Sequence, residues 1–380
     1  MSERMKKELF SLKEICGEER TETDGKGRTK KRTVHFSSME ALIDGALHFV
    51  EFFERLHREG KVYRSSEAEG FLFSGRTGAL CVPASEEGPA ELSEFLAPEL
   101  VEAMAEGKMP EELPFTVETD RYFIAVFLFE YFFHTGSPFE GKRMVNRCFL
   151  SPMEKELFRA REGQFCMEVG EESNTPVKGI QDKLIFYWEQ YPDILKKMFQ
   201  RAFMDGGRIC ELRPTEVDWK QTFVRMAVDY KRCSCGFCGF SFSLEAKGNG
   251  TFACPDCGRV YYPLTNGMDR ILLAAGEKLY ECQTGKDVFD KEKVTAMVVE
   301  NRQRKGLYGI KNMSGGVWVG RFPDGTVKEI GEGQGIPIWS GMSVRFEVGE
   351  EWHLRQISQT EGKEIGEDEQ QVSGAECGCD

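Results

Sequence analysis

Apolar residues divide this chain into three regions with different periodicities. Ser37 and Ser38 precede Met39, Leu42, Ala46, Phe49, Val50, Phe53 and Leu56, spaced mostly at three and four, which predicts a capped amphipathic helix. Residues 61–82 read as short strands around a turn at Ser74-Gly-Arg-Thr-Gly78. From Leu96 to Met226 the pattern is helical, punctuated by prolines such as Pro98, Pro114, Pro138, Pro152 and Pro214. Within it, Tyr122–Phe133 is apolar on every side apart from Glu130, which predicts a core helix buried all round. That run is too short to span a bilayer. Beyond residue 230 the pattern turns to short alternations. Phe240–Glu245 and Thr251–Ala253 flank Gly248-Asn-Gly250 as a hairpin, and Arg259–Tyr262 supplies a third strand. Arg270–Ala274 and Lys278–Glu281 continue as β structure, and 294–357 reads as a compact β domain.

The two ends lack such periodicity. Residues 1–33 are rich in charge and glycine, with a helix only around Met5–Ile15, and Lys26–Arg32 reads as a solvated basic arm. Residues 361–380 are acidic and Gly/Ser-containing, the composition of a disordered tail. The resulting organisation is multidomain: a flexible arm (1–33), a mainly helical domain (34–229), a metal-binding and connecting β segment (230–290), a small all-β domain (291–358) and a tail (359–380).

Length and charge bound the function. At 380 residues the chain has room for two or three domains, and its net charge of −13 argues against general binding to nucleic acid or a membrane surface. Thirteen cysteines and no visible signal peptide point to a reducing, cytoplasmic setting. Four of those cysteines carry the clearest chemistry. Cys235-Gly-Phe-Cys238 and Cys254-Pro-Asp-Cys257 are separated by fifteen residues, the spacing of a structural zinc site. Two facing knuckles would close a tetrahedral shell of four thiolates, with Gly236, Gly239 and Gly258 supplying backbone freedom. A closed shell predicts a folding element rather than catalysis. Cys377 and Cys379 read as incidental thiols, and the five histidines show no ligand spacing.

Leu56-His-Arg-Glu-Gly60, Leu96-Ala-Pro-Glu99, Thr119-Asp120-Arg121-Tyr122 and Leu212-Arg213-Pro214-Thr215 fall in an order that resembles the C-terminal lobe of bacterial serine/threonine protein kinases. Leu56-His-Arg-Glu-Gly60 is similar to the segment before the kinase catalytic loop, and Tyr63-Arg64-Ser65 stands at the His-Arg-Asp triplet. Leu96-Ala-Pro-Glu99 matches Ala-Pro-Glu. Thr119-Asp120-Arg121-Tyr122 with Ser137-Pro-Phe-Glu-Gly141 resembles the following helix and turn, and Leu212-Arg213-Pro214-Thr215 the Arg-Pro segment. The likeness covers about half the chain. It implies architectural roles: an ion pair between Glu99 and Arg213, and Asp120 accepting hydrogen bonds from the loop backbone around Tyr63 and Arg64. The last domain, with Gly309-Ile-Lys-Asn-Met-Ser314, Trp318 and Pro323-Asp-Gly325, looks like a forkhead-associated-like or related β module.

The chemistry departs from that family. Phosphoryl transfer needs an Asp that orients the hydroxyl and Asn and Asp ligands for magnesium. Here the degenerate positions are Ser65, Gly70 and the Pro83 segment, and no glycine-rich loop or Val-Ala-Ile-Lys strand precedes them. The expectation is therefore a catalytically inactive pseudokinase adaptor with structural zinc and no catalytic residues. The resemblance implies protein partners such as an intact kinase, a metal-dependent phosphatase or a von Willebrand A-type protein. Two other readings stand beside it: half of a split kinase completed by another chain's N-lobe, and a nucleic-acid-binding zinc ribbon using Lys231, Arg232, Lys247 and Arg259 with nearby aromatics.

Overall fold

The computed structural model describes residues 8–23, 29–82, 91–301, 303–347 and 349–354. The chain forms two compact units, Met1–Ala227 and Val228–Asp380. Among the described residues no helix is long and apolar enough to cross a membrane.

The first unit is built on the helices Met39–Arg58 and Val117–Phe133. Ser38 caps the first, its side-chain oxygen accepting from the Ala41 N–H at 3.2 Å. Gly60, at φ +71°, lets the chain leave beyond its last turn. Thr116 caps the second helix through the Thr119 N–H at 3.3 Å, and His134 ends it in the left-handed region at φ 51°. All of Tyr122–Phe133 is buried, Glu130 included. Aromatic partners meet this helix on different sides: Phe127 stacks on Phe49 at 4.0 Å, Phe133 meets Trp188 at 5.2 Å, and Phe129 meets Phe199 at 5.4 Å. Helix-starting Pro98 and Pro152 open Pro98–Ala105 and Pro152–Glu162, where a missing N–H costs nothing.

Part of the segment expected to be a flexible arm is folded into this unit. Leu9–Phe10 pairs with Leu72–Ser74, and Leu72–Ser74 pairs with Leu80–Cys81. Leu9 is buried from the strand, and Leu12 and Ile15, three apart, are buried on one face of the short helix Leu12–Ile15. Arg20–Thr23 and Thr29–Arg32 form an antiparallel ribbon. The basic residues Lys26 and Arg28 and the tail 359–380, with Cys377 and Cys379, lie outside the described residues.

The second unit is antiparallel β structure around one main core. Trp318, Leu264, Ile310, Ile336 and Val344 are fully buried there. A second, smaller cluster gathers Cys233, Leu244, Cys254, Tyr261, Leu272 and Ala274. One strand, Val260–Thr265, serves both clusters. Its start pairs with Phe252–Ala253 (Tyr261 opposite Phe252), and its end pairs with Glu351–Leu354 (Leu264 opposite Leu354). Segments 230–290 and 291–358 thus share a continuous sheet.

Candidate metal centre and buried charge cluster

Two β-turn loops carry the cysteines. The first joins Tyr230–Arg232 to Cys238–Phe240, with Arg232 opposite Cys238. Inside it, the Cys233 N–H donates to the Phe237 carbonyl at 2.8 Å, and the Gly236 N–H returns to the Cys233 carbonyl at 3.0 Å. The second joins Phe252–Ala253 to Val260–Thr265, with Ala253 opposite Val260. There the Cys254 N–H donates to Arg259 and the Gly258 N–H returns to Cys254, both at 2.9 Å. Each loop has one plan: a first cysteine, a second cysteine, then a left-handed glycine. Those glycines are Gly236 at φ +106° and Gly258 at φ +73°.

That plan brings together Cys233, Cys235, Cys254 and Cys257, whose sulfurs all lie within 4.8 Å of one another. Cys233 and Cys257 are 3.5 Å apart, and Cys235 and Cys254 are 3.6 Å apart. Thiolates about 2.3 Å from a shared zinc in tetrahedral geometry stand about 3.8 Å from each other, so the spacing suits a metal. It is far beyond the roughly 2.05 Å of a disulfide. Cys238 corrects the expected ligand set. It has already entered the returning strand, is exposed, and turns its sulfur to the Gly236 carbonyl at 3.6 Å. Gly239, which follows it, does not take the left-handed conformation that closes both knuckles. Cys233 takes the place assigned to Cys238, and the first knuckle is Cys-x-Cys-Gly, one residue shorter than the second.

Four thiols so close cannot all ionise alone. The backbone N–H of Cys235 draws the Cys233 thiol down to about 6, with help from the Cys257, Cys235 and Cys254 thiols and against its burial. The Phe237 N–H favours a Cys235 thiolate, yet burial and the neighbouring sulfurs push that thiol up to about 12. A divalent cation would relieve this conflict by holding all four as thiolates.

The helical unit assembles a different set. Asp120 Oδ2 accepts from the Tyr63 N–H at 2.7 Å and lies 2.8 Å from His57 Nε2. His57 Nδ1 stands 3.2 Å from Glu216 Oε1, an ion-pair distance without hydrogen-bond alignment. Arg121 closes the cluster through Nε to Glu216 at 3.1 Å. Although burial disfavours its charge, Asp120 and Glu216 raise the His57 pKa to about 9. Burial likewise opposes ionisation of Glu216, but His57 and Arg121 hold it down at about 2. Asp120 is raised, burial outweighing His57 and the Tyr63 N–H.

The other residues singled out by sequence divide into joined and separate. Glu99 and Arg213 meet in a bidentate pair at 2.7 and 2.9 Å. Arg213 Nε also donates to Gly206 O, and Nη1 to Glu118 O, so its buried guanidinium is well satisfied. Arg64 is exposed, reaching Glu111 O at 3.4 Å with its guanidinium over the Phe115 ring. Ser65 is buried and accepts from the Glu67 N–H at 3.1 Å. Beside Gly70 there is open space where a side chain would stand. Pro83 lies outside the described residues. Sequence reasoning missed His57 as a member of the Asp120 cluster. It also missed Arg159, which donates to Glu156 at 2.6 Å, to Leu96 O at 2.9 Å and to the Tyr122 hydroxyl while fully enclosed.

No protein-family model matches the chain, and comparison with curated proteins finds no match.

Proposed function

We propose that this protein is a non-catalytic, protein-binding scaffold: a degenerate kinase-like helical lobe followed by a zinc ribbon and a β module. The observation that carries the reading is the loop after helix Met39–Arg58. It is fastened to Asp120 at its Tyr63 N–H, with His57 on the same oxygen. Yet Ser65, at the position where the kinase resemblance calls for a catalytic carboxylate, offers a neutral hydroxyl engaged with its own loop. Such a hydroxyl neither accepts a substrate proton nor binds magnesium as a carboxylate does. The retained anchors, Asp120 and Glu99–Arg213, are ones that shape a surface. In this reading the Cys233, Cys235, Cys254 and Cys257 thiolates hold zinc, the metal that soft four-sulfur tetrahedra favour. Zinc there supplies folding energy to a segment with a small core. The test is titration of the purified chain with magnesium-ATP, with a phosphoryl-transfer assay alongside. The expected result is no nucleotide binding and no transfer. Stoichiometric binding with transfer to any acceptor would overturn the scaffold reading.

A further inference from the structure

A cavity of about 450 Å³ opens on the sheet that orders Lys278–Tyr280, Val294–Glu300, Tyr308–Asn312 and Gly335–Pro337. Its floor follows from register. Val299 stands opposite Gly309, and Gly309 opposite Pro337, so the middle of that row has no side chain. A Cβ on Gly309 would lie 3.0 Å from the Ile336 carbonyl, so glycine here both permits the close strand approach and leaves the space empty. Trp339 forms an aromatic wall on the Gly309 side, while the Tyr308 ring packs on the main core on the other face of the strand. Trp339 is 45% exposed, an unusual state for so large an apolar surface.

The rim is polar and fixed. Asn301 Oδ1 accepts from the Gln303 and Arg304 N–H groups at 2.8 and 3.1 Å, and the Asn301 N–H donates to Leu307 O at 2.7 Å. Arg304 is the charged side chain among the described residues lining the cavity, and no described carboxylate pairs with it. The neighbouring sheet edge is unsuited to an added strand. Pro337 has no N–H to give, and its carbonyl already accepts from the Trp339 N–H at 3.1 Å. An occupant must therefore lie flat on the face rather than extend the sheet.

We propose that this cavity binds a small planar anion, an aromatic or heteroaromatic ring seated over Gly309 against Trp339, with a carboxylate, sulfonate or phosphate paired to Arg304. The volume falls in the small-ligand range of roughly 300–1,000 Å³. A guanidinium with no described counter-charge selects an anionic group, because it binds an anionic oxygen more strongly than a neutral acceptor. The site is independent of the metal centre and of the scaffold reading.

The test uses the full chain with ¹⁵N-labelled tryptophan and naphthalene-2-sulfonate as probe, the Trp339 indole signal being assigned with Trp339→Phe. The expected result is a saturable shift of the Trp339 signal. Arg304→Gln should weaken the sulfonate by about tenfold, roughly the worth of one charge-assisted bond, while leaving the neutral analogue 2-naphthalenemethanol unchanged. Gly309→Val should abolish both; should that variant fail to fold, Arg304→Gln alone decides. Absence of a saturable shift, or equal binding by wild type and Arg304→Gln, would overturn the proposal. So would an acidic peptide without aromatic residues that shifts Trp339 as strongly as the probe, since that assigns the face to a protein partner.

Discussion

The main ionisable clusters of the two units are balanced in opposite ways. In the helical unit both signs come from the chain: His57 and Arg121 stand against Asp120 and Glu216, and Arg213 against Glu99. In the β unit the quartet Cys233, Cys235, Cys254 and Cys257 offers one sign only. The first arrangement is complete as folded, whereas the second reaches its fully ionised state only with an imported cation. The helical unit's stability should therefore answer to mutation and pH, and that of the cysteine segment to metal.

The sharpest way to break this contrast is to remove a thiolate. Cys254→Ser should abolish stoichiometric metal, measured by elemental analysis, because one thiolate of the closed set is lost. A chelator should do the same to the wild type. Hydrogen exchange should then accelerate through residues 230–265 while protection within 34–227 persists. Loss of protection throughout the helical unit on chelation would refute the division.

A smaller effect should follow from uncoupling Glu99 from Arg213. Removing one member of a buried ion pair costs roughly 3–5 kcal/mol. The Glu99 side chain is 39% exposed, so Glu99→Gln should fall at or below the lower end, about 2–3 kcal/mol, with the buried Arg213 keeping its carbonyl partners. Urea unfolding of the helical unit would measure it, and metal content should not change. A shift under 0.5 kcal/mol, the usual scale of a surface change, would mean that the pair adds nothing beyond its carbonyl bonds.

The His57 cluster predicts a pH dependence with a definite sign. Its folded-state pKa of about 9 stands above the ordinary 6.5, so its stabilisation is complete below pH 6.5 and drains away as pH rises through 9. Glu216, held at about 2 against an ordinary 4.5, contributes fully above pH 4.5 and loses that contribution as pH falls through 2. The stability difference between wild type and His57→Gln should therefore shrink between pH 6.5 and 9.5, as followed by thermal unfolding. A difference that stays constant over that range would show His57 to be neutral in the fold.

How much of this was legible depended on whether the determining contact is local. The helix Met39–Arg58 could be read because Ser38 and the apolar spacing lie within it. Tyr122–Phe133 could be read because an all-apolar helix has nowhere to go but inside. The cluster at Asp120 could not, because His57 is one histidine at a helix end and Glu216 is 159 positions further on. Nothing in the (i, i+3) spacing of Glu156 and Arg159 distinguishes them from an exposed pair, and only the packing of Tyr122 and Leu96 encloses them. The kinase resemblance concerns spacing of motifs, and no family or curated match accompanies it. In the cysteine segment the count of residues between thiols misled. The deciding signal is conformational: a glycine follows both Cys235 and Cys238, and it is Gly236 rather than Gly239 that takes the left-handed conformation.

That signal leads to the smallest expected effect and the finest test of the metal centre. Cys235-Gly-Phe-Cys238 and Cys233-Ser-Cys235 compete for the same loop, since a left-handed Gly236 closes one and a left-handed Gly239 would close the other. The hydrogen bond from the Cys233 N–H to Phe237 O places Cys238 beyond the loop, opposite Arg232 in the strand pair. Cys238→Ser should therefore retain its metal at full stoichiometry, with unfolding free energy within about 0.5 kcal/mol of wild type, the range of an exposed substitution. Cys233→Ser should lose the metal as completely as Cys254→Ser. Substituting cobalt for the native metal gives an independent readout, because the intensity of its visible bands follows tetrahedral geometry and its charge-transfer bands follow the number of thiolates. The spectrum of Cys238→Ser should match the wild type, and that of Cys233→Ser should not. The reverse result would restore the paired CxxC ligand set and require the first knuckle to re-form around Gly239.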